Sequence, residues 1–269
     1  MQVSAVSLLA LLASSSAALA ADPCADVARK VADLKEGDAF QATSLLFASA
    51  RLGCEKEAQA LLGRGAAIDA RDREGATALA KAAQAGKTKL VAFLIDNRAN
   101  VNARSVQGST PLFYAVEADR PEAARFLIER GADPNLAGPR GRTPLSAAAY
   151  NGATDTAELL LKLGADPNAV DVDGNGAMVY AADRANAPIV ALLLKAGVDA
   201  NRRYGHRLTA LMWAAAPDSS AGAEDVGATI KLLLDHGASV DLKDDRGKTA
   251  ADIAREMGRE REAKLIDGN

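Results

Sequence analysis

Residues 141–152 read Gly141-Arg142-Thr143-Pro144-Leu145-Ser146-Ala147-Ala148-Ala149-Tyr150-Asn151-Gly152. Thr143 can N-cap a helix, and Pro144 fits the first helical position, where its missing N–H costs nothing. Leu145, Ala148 and Ala149 then fall at i, i+3 and i+4, one apolar face. Asn151-Gly152 ends that helix. A second follows with Leu159, Leu160 and Leu161, stopped by Gly164 where a left-handed backbone is favoured. Ala165-Asp166-Pro167-Asn168 leads into an extended finger and a turn.

The same unit recurs when the chain is laid over itself with a shift of 33. Thr77, Thr110, Thr143, Gly176 and Thr209 share a column. So do Leu79, Leu112, Leu145, Met178 and Leu211, and so do Ala82, Ala115, Ala148, Ala181 and Ala214. Asn102, Asn135, Asn168 and Asn201 form another, as do Gly131, Gly164 and Gly197. A fixed period of this size marks a stacked-repeat solenoid, each helix pair burying an apolar face on its neighbour. Ala columns let helices approach closely, and Leu columns fill the space between pairs.

The pattern T-P-L-x-x-A-A … L-L-x-x-G-A-D-x-N resembles the ankyrin repeat. Thr110-Pro111-Leu112 with Gly131-Ala132-Asp133-Pro134-Asn135 carries the match, as does Thr143-Pro144-Leu145 with Gly164-Ala165-Asp166-Pro167-Asn168. The resemblance covers about residues 37–266 and implies an all-α solenoid of stacked helix-turn-helix units with finger loops. The chain departs from it in places. The His that follows T-P-L in the family is replaced by Phe47, Ala80, Phe113, Ser146, Val179 and Met212, which questions the hydrogen bonds that His makes between fingers. Arg98 stands in the Gly column, and Gly176-Ala177 replaces Thr-Pro.

The stretch Asp171-Val172-Asp173-Gly174-Asn175-Gly176 matches the first half of a calcium loop. Such a loop needs a bidentate Glu at its twelfth position, here Ala182, and a helix before it. The repeat register assigns the stretch to a finger turn instead, where Asp and Gly are favoured.

The expected organisation is a cap helix at about 22–36, six repeats at about 37–70, 71–103, 104–136, 137–169, 170–202 and 203–242, and a C-terminal capping repeat at 243–269. The cap helix starts at Asp22-Pro23, with Val27, Val31 and Leu34 on one stripe. Cys24 begins it, and Cys54 lies in the turn between the helices of repeat one, at the same end of the stack. A disulfide is expected in an oxidising compartment, with two independent thiols as the alternative. From Thr209 to Thr249 the spacing is 40, not 33, with the extra residues around 216–222. They read as a surface insertion or as a loop that contacts a partner.

Residues 1–20 contain no Asp, Glu, Lys or Arg. An apolar run from Val6 to Leu12, then Ala18-Leu19-Ala20, reads as a signal peptide cleaved after about Ala20, although no basic residue precedes the run. A frayed Ala-rich tail is the alternative. The run is too short to span a membrane, so no membrane insertion is expected and the chain is expected to be exported, to a periplasm or beyond. A monomer is expected when the protein is free.

A net charge of −3 gives no reason to expect nucleic acid as partner. Two Cys and two His leave little for a metal site. No H-E-x-x-H, G-x-S-x-G, P-loop or C-x-x-C is present, so no catalytic residue, metal or cofactor is expected. The aromatics suggest binding. Tyr114, Tyr180 and Trp213 share one column, Tyr150 lies three residues further on, and Tyr204 lies in a finger. In ankyrin-like stacks, fingers and first helices line a concave groove. Arg140, Arg142, Arg202, Arg203 and Arg207 lie near finger positions and add a positive edge. The alternatives are aromatics that fill space and arginines that serve solubility. The reading is a non-enzymatic module that binds a partner protein through the groove; the resemblance to exported bacterial ankyrin-repeat proteins permits a role in stress protection or in toxin neutralisation, and the residues choose neither. A cell-envelope organiser, or an enzyme with an unadvertised site, are the other classes.

Overall fold

The computed structural model describes residues 22–217 and 223–268. The expected signal peptide and residues 218–222 of the insertion lie outside these. After a lone helix α1 (Ala25–Ala32), the chain alternates between two rows. The first helices are α2 (Ala39–Leu52), α4 (Ala78–Gln84), α6 (Pro111–Glu117), α8 (Pro144–Asn151), α10 (Ala177–Asp183), α12 (Ala210–Ala215) and α14 (Ala250–Glu256). The second helices are α3 (Glu55–Gly63), α5 (Thr88–Asp96), α7 (Pro121–Glu129), α9 (Thr154–Lys162), α11 (Ala187–Lys195), α13 (Ala223–Asp235) and α15 (Glu260–Asp267). Each first helix packs on the next first helix and each second on the next second, so the fold is an all-α solenoid.

Local chemistry starts each first helix at the same place. The hydroxyls of Thr77, Thr110 and Thr143 accept from the N–H groups of Ala80, Phe113 and Ser146 at 3.3, 3.1 and 3.2 Å. Thr209 and Thr249 cap α12 and α14 in the same way. At Gly176 no side chain caps α10. The Ala column is fully buried, and Leu61, Leu94, Leu127, Leu160, Leu193 and Leu233 are sealed between the rows. Each such leucine stabilises the stack by about 1.5–3 kcal/mol.

The Asn column ties one repeat to the next. Asn102 donates to the Gly131 carbonyl at 3.2 Å and accepts from the Asp133 N–H at 3.1 Å. Asn135 does the same with Gly164 and Asp166, at 3.1 and 2.8 Å, and Asn201 with Gly237 and Ser239, at 2.8 and 2.7 Å. Asn168 instead accepts from the Arg202 guanidinium at 2.7 Å.

At the N-terminal end α1 packs on α2 and α3 and buries Val27, Val31 and Leu34. Cys24 and Cys54 are bonded, with Cα atoms 5.5 Å apart, and each immediately precedes a helix. At the other end of α1, the Arg64 guanidinium donates to the carbonyls of Val31 and Leu34 at 2.7 and 3.1 Å. Beyond the insertion, α13 has 13 residues where α11 has 9.

Candidate functional site

The fingers are built from tight turns, and the residue at the start of each turn decides its form. Asp171 accepts from the N–H groups of Asp173 and Asn175 at 2.9 and 3.0 Å. Asp72 holds Glu74 and Ala76 identically, both at 2.9 Å, and Asp244 holds Arg246 and Lys248 at 2.9 and 2.8 Å. The calcium-like stretch is therefore a finger turn closed by its own first aspartate. Where that column holds Gly138 or Tyr204, the turn becomes a single 3₁₀ turn with Arg140 or His206 at positive φ.

From repeat two to repeat six the column that usually holds His is buried, with Ala80, Phe113, Ser146, Val179 and Met212 at most 2% exposed, while Phe47 of repeat one is partly exposed. Packing and aspartate-closed turns replace its hydrogen bonds. Phe113 shows how tight the packing is: a Cβ built on Gly138 would stand 2.8 Å from its ring.

The next column faces outward and reaches back to the finger. The Tyr180 hydroxyl donates to the second carboxylate oxygen of Asp171. Burial pushes the Tyr180 phenol well above its ordinary range, and this bond to a carboxylate adds to the shift. In the same column, Lys81 holds Asp72 at 2.9 Å and Glu74 at 3.0 Å. Burial alone would raise the Asp72 carboxyl, but Lys81 and the turn N–H groups outweigh it and hold it below its usual value. The aromatic at Tyr180 thus braces its own finger while staying partly exposed.

Tyr114, Tyr180 and Trp213 are partly exposed on α6, α10 and α12, and Tyr150 on α8 is 38% exposed. Tyr150 and Tyr180 meet edge to face, with ring centroids 5.9 Å apart. Arg142 lies 5.4 Å from the Tyr150 ring and 6.0 Å from that of Tyr180, with the Glu117 carboxylate 3.7 Å away. Arg184, which the sequence did not single out, lies 4.2 Å from the Tyr150 ring. It follows the last residue of α10, and its contact is with a ring on α8, which no spacing within one repeat signals. The Trp213 Nε1 has no acceptor among the described residues.

Other expected site residues are used internally. Tyr204 is buried and not presented on the first-helix face: it packs into the core at 8% exposure, its ring beside Gly176. Burial pushes its phenol up to about 12. Arg202 lies 5.3 Å from that ring and is bonded to Asn168. Arg203 donates to the Lys243 carbonyl at 2.7 Å, locking one finger to the next. One terminal nitrogen of Arg140 donates to both carboxylate oxygens of Asp173, at 2.8 and 2.7 Å. Arg207 is exposed at positive φ. The structure thus gathers Tyr150, Tyr180 and Arg142 into one cluster, with Tyr114 and Trp213 in the same row of first helices, and turns Tyr204, Arg202 and Arg203 to holding the fingers.

Aromatic faces beside guanidinium groups on a rigid support are suited to non-covalent recognition. No helix among the described residues is long and apolar enough to cross a membrane. A family model described as ankyrin repeats (3 copies) matches residues 45–138 and again 136–204, and one described as ankyrin repeat matches residues 206–245. Comparison with curated proteins gives no match.

Proposed function

This chain belongs to the ankyrin-repeat family, and we propose that it binds a partner protein non-covalently along the face made by its first helices and fingers. The observation that carries the reading is the row of partly exposed aromatics on four consecutive first helices, Tyr114, Tyr150, Tyr180 and Trp213, with Arg142 and Arg184 against the Tyr150 ring. Tyr, Trp and Arg dominate binding energy at protein interfaces. Braced side chains also lose little conformational freedom on binding. A standard interface of about 800 Å² per partner fits along such a row.

The reading puts the protein in a bacterial periplasm, in stress protection or toxin neutralisation. The leader-like residues 1–20 support export, and the bonded Cys24 and Cys54 suit an oxidising compartment. Chemical crosslinking in native extract, followed by pull-down, tests the binding reading. Tyr150→Ala and Trp213→Ala should each deplete a specific crosslinked species while far-UV helicity is retained. A species captured equally by the wild type and both variants would overturn it.

A further inference from the structure

The N-terminal end of the groove is built differently from the rest. Repeat one has no finger before its first helix, and α2 runs for 14 residues where α4 has 7. Phe40, Ser44, Phe47 and Arg51 follow at i, i+4, i+7 and i+11, so they share one face of α2. Phe40 is 88% exposed, the most exposed large hydrophobic side chain among the described residues.

Between this face, Lys30 of α1 and the first finger lies a cleft of about 510 Å³. Leu45, Phe47 and Ala48 give it an apolar wall. Its two carboxylates, Asp72 and Glu74, are both occupied by Lys81. Arg51 and Arg73 line the cleft, and among the described residues neither side chain has an ion pair or hydrogen bond. Lys30 has only a solvent-exposed pair with Asp26, which is worth little. Four cations therefore face two carboxylates, in a chain whose net charge is −3.

We propose that this cleft receives an acidic segment of the partner protein, with an apolar side chain of that segment against Phe47 and its carboxylates on Arg51 and Arg73. The inference rests on the groove-binding reading and gives it a chemistry. Unpaired guanidinium forks match carboxylates in geometry and charge. A basic segment would meet unpaired cations. A nucleic acid would need cations that track a phosphate backbone, and here Asp72 and Glu74 stand in the wall.

The test uses the full chain, ¹⁵N-labelled, and three probes: the peptide Glu-Glu-Leu-Glu-Glu-Phe-Glu-Glu, its Glu→Lys counterpart and a single-stranded oligonucleotide. The acidic peptide should shift the amides of residues 44–51 and 72–74. Arg51→Glu with Arg73→Glu should weaken it at least tenfold, and raised salt should weaken it too. Both sites are exposed, and an otherwise unchanged spectrum reports an intact fold. The proposal is overturned if those amides do not move, if the double variant binds as the wild type does, or if either control probe binds as well. Crosslinking in extract is run on the same samples. A crosslinked species lost in Trp213→Ala, with no peptide response at the cleft, sinks this inference alone. Loss of neither signal in its variant sinks both readings.

Discussion

Cutting the Cys24–Cys54 bond should loosen the first end of the rod and leave the rest intact. The bond closes a separation of 30 residues. Loop-closure entropy for such a loop corresponds to about 3.6 kcal/mol in the chain-entropy model. Helix α1 has only 8 residues, and helices shorter than about 12–15 are marginal on their own. Without the bond, α1 keeps three buried aliphatic side chains and the two Arg64 bonds to its C-terminal carbonyls. In a solenoid each unit touches only its neighbours, so the loss stays local. Native-state hydrogen exchange on the wild type and on a Cys24→Ala, Cys54→Ala variant reads this directly. Amides of α1 to α3 should exchange up to roughly 400-fold faster in the variant, the equivalent of that free energy. Amides of α9 and α11 should be unaffected. Equal protection of α1 in both proteins would mean that the bond does not hold the cap, and a uniform loss along the whole chain would mean that the repeats do not unfold locally.

Gly138→Ala should cost about 1–3 kcal/mol in urea unfolding, because its Cβ meets the fully buried Phe113 ring at 2.8 Å; a neutral result would mean that the finger moves freely. Arg98→Gly should stabilise by about 0.5–1 kcal/mol: a left-handed residue with a Cβ costs about 1–2, and glycine's extra freedom when unfolded returns part of it. An unchanged denaturation midpoint would contradict this. Asp72, Asp244 and Asp252 all have carboxyls held below their ordinary range. A depressed folded pKa gives stability that is complete above the unfolded value, near 4, and is lost as pH falls through the folded one. The thermal midpoint should therefore be nearly level in these groups' contribution above about pH 5 and fall below pH 4, with a shallower acid fall in Asp72→Asn.

Much of this architecture was legible because it is written in columns. Thr143, Leu145 and Gly164 act through local rules, and each recurs every 33 residues with the same task. The cap helix and the disulfide followed from register, since α1 had to cover the open face of repeat one. The site was less legible, because its residues do different work in different repeats. Tyr204 resembled an exposed finger aromatic, but its ring packs into the core beside Gly176 of the preceding repeat. Tyr180 read as a binding anchor, and its hydroxyl also closes a finger through Asp171. Arg202 and Arg203 looked like surface charge, yet their forks satisfy Asn168 and the Lys243 carbonyl across repeats. The cleft beside α2 left no periodic signal at all, since it lies where repeat one has no finger ahead of its first helix.

Binding is assigned to the first-helix face. A photoreactive phenylalanine analogue placed at Tyr150, on that face, and separately at Leu192, on second helix α11, tests it in native extract under light. The expected result is a discrete covalent adduct from position 150 and none from position 192. An adduct from position 192 with none from position 150 would contradict the account.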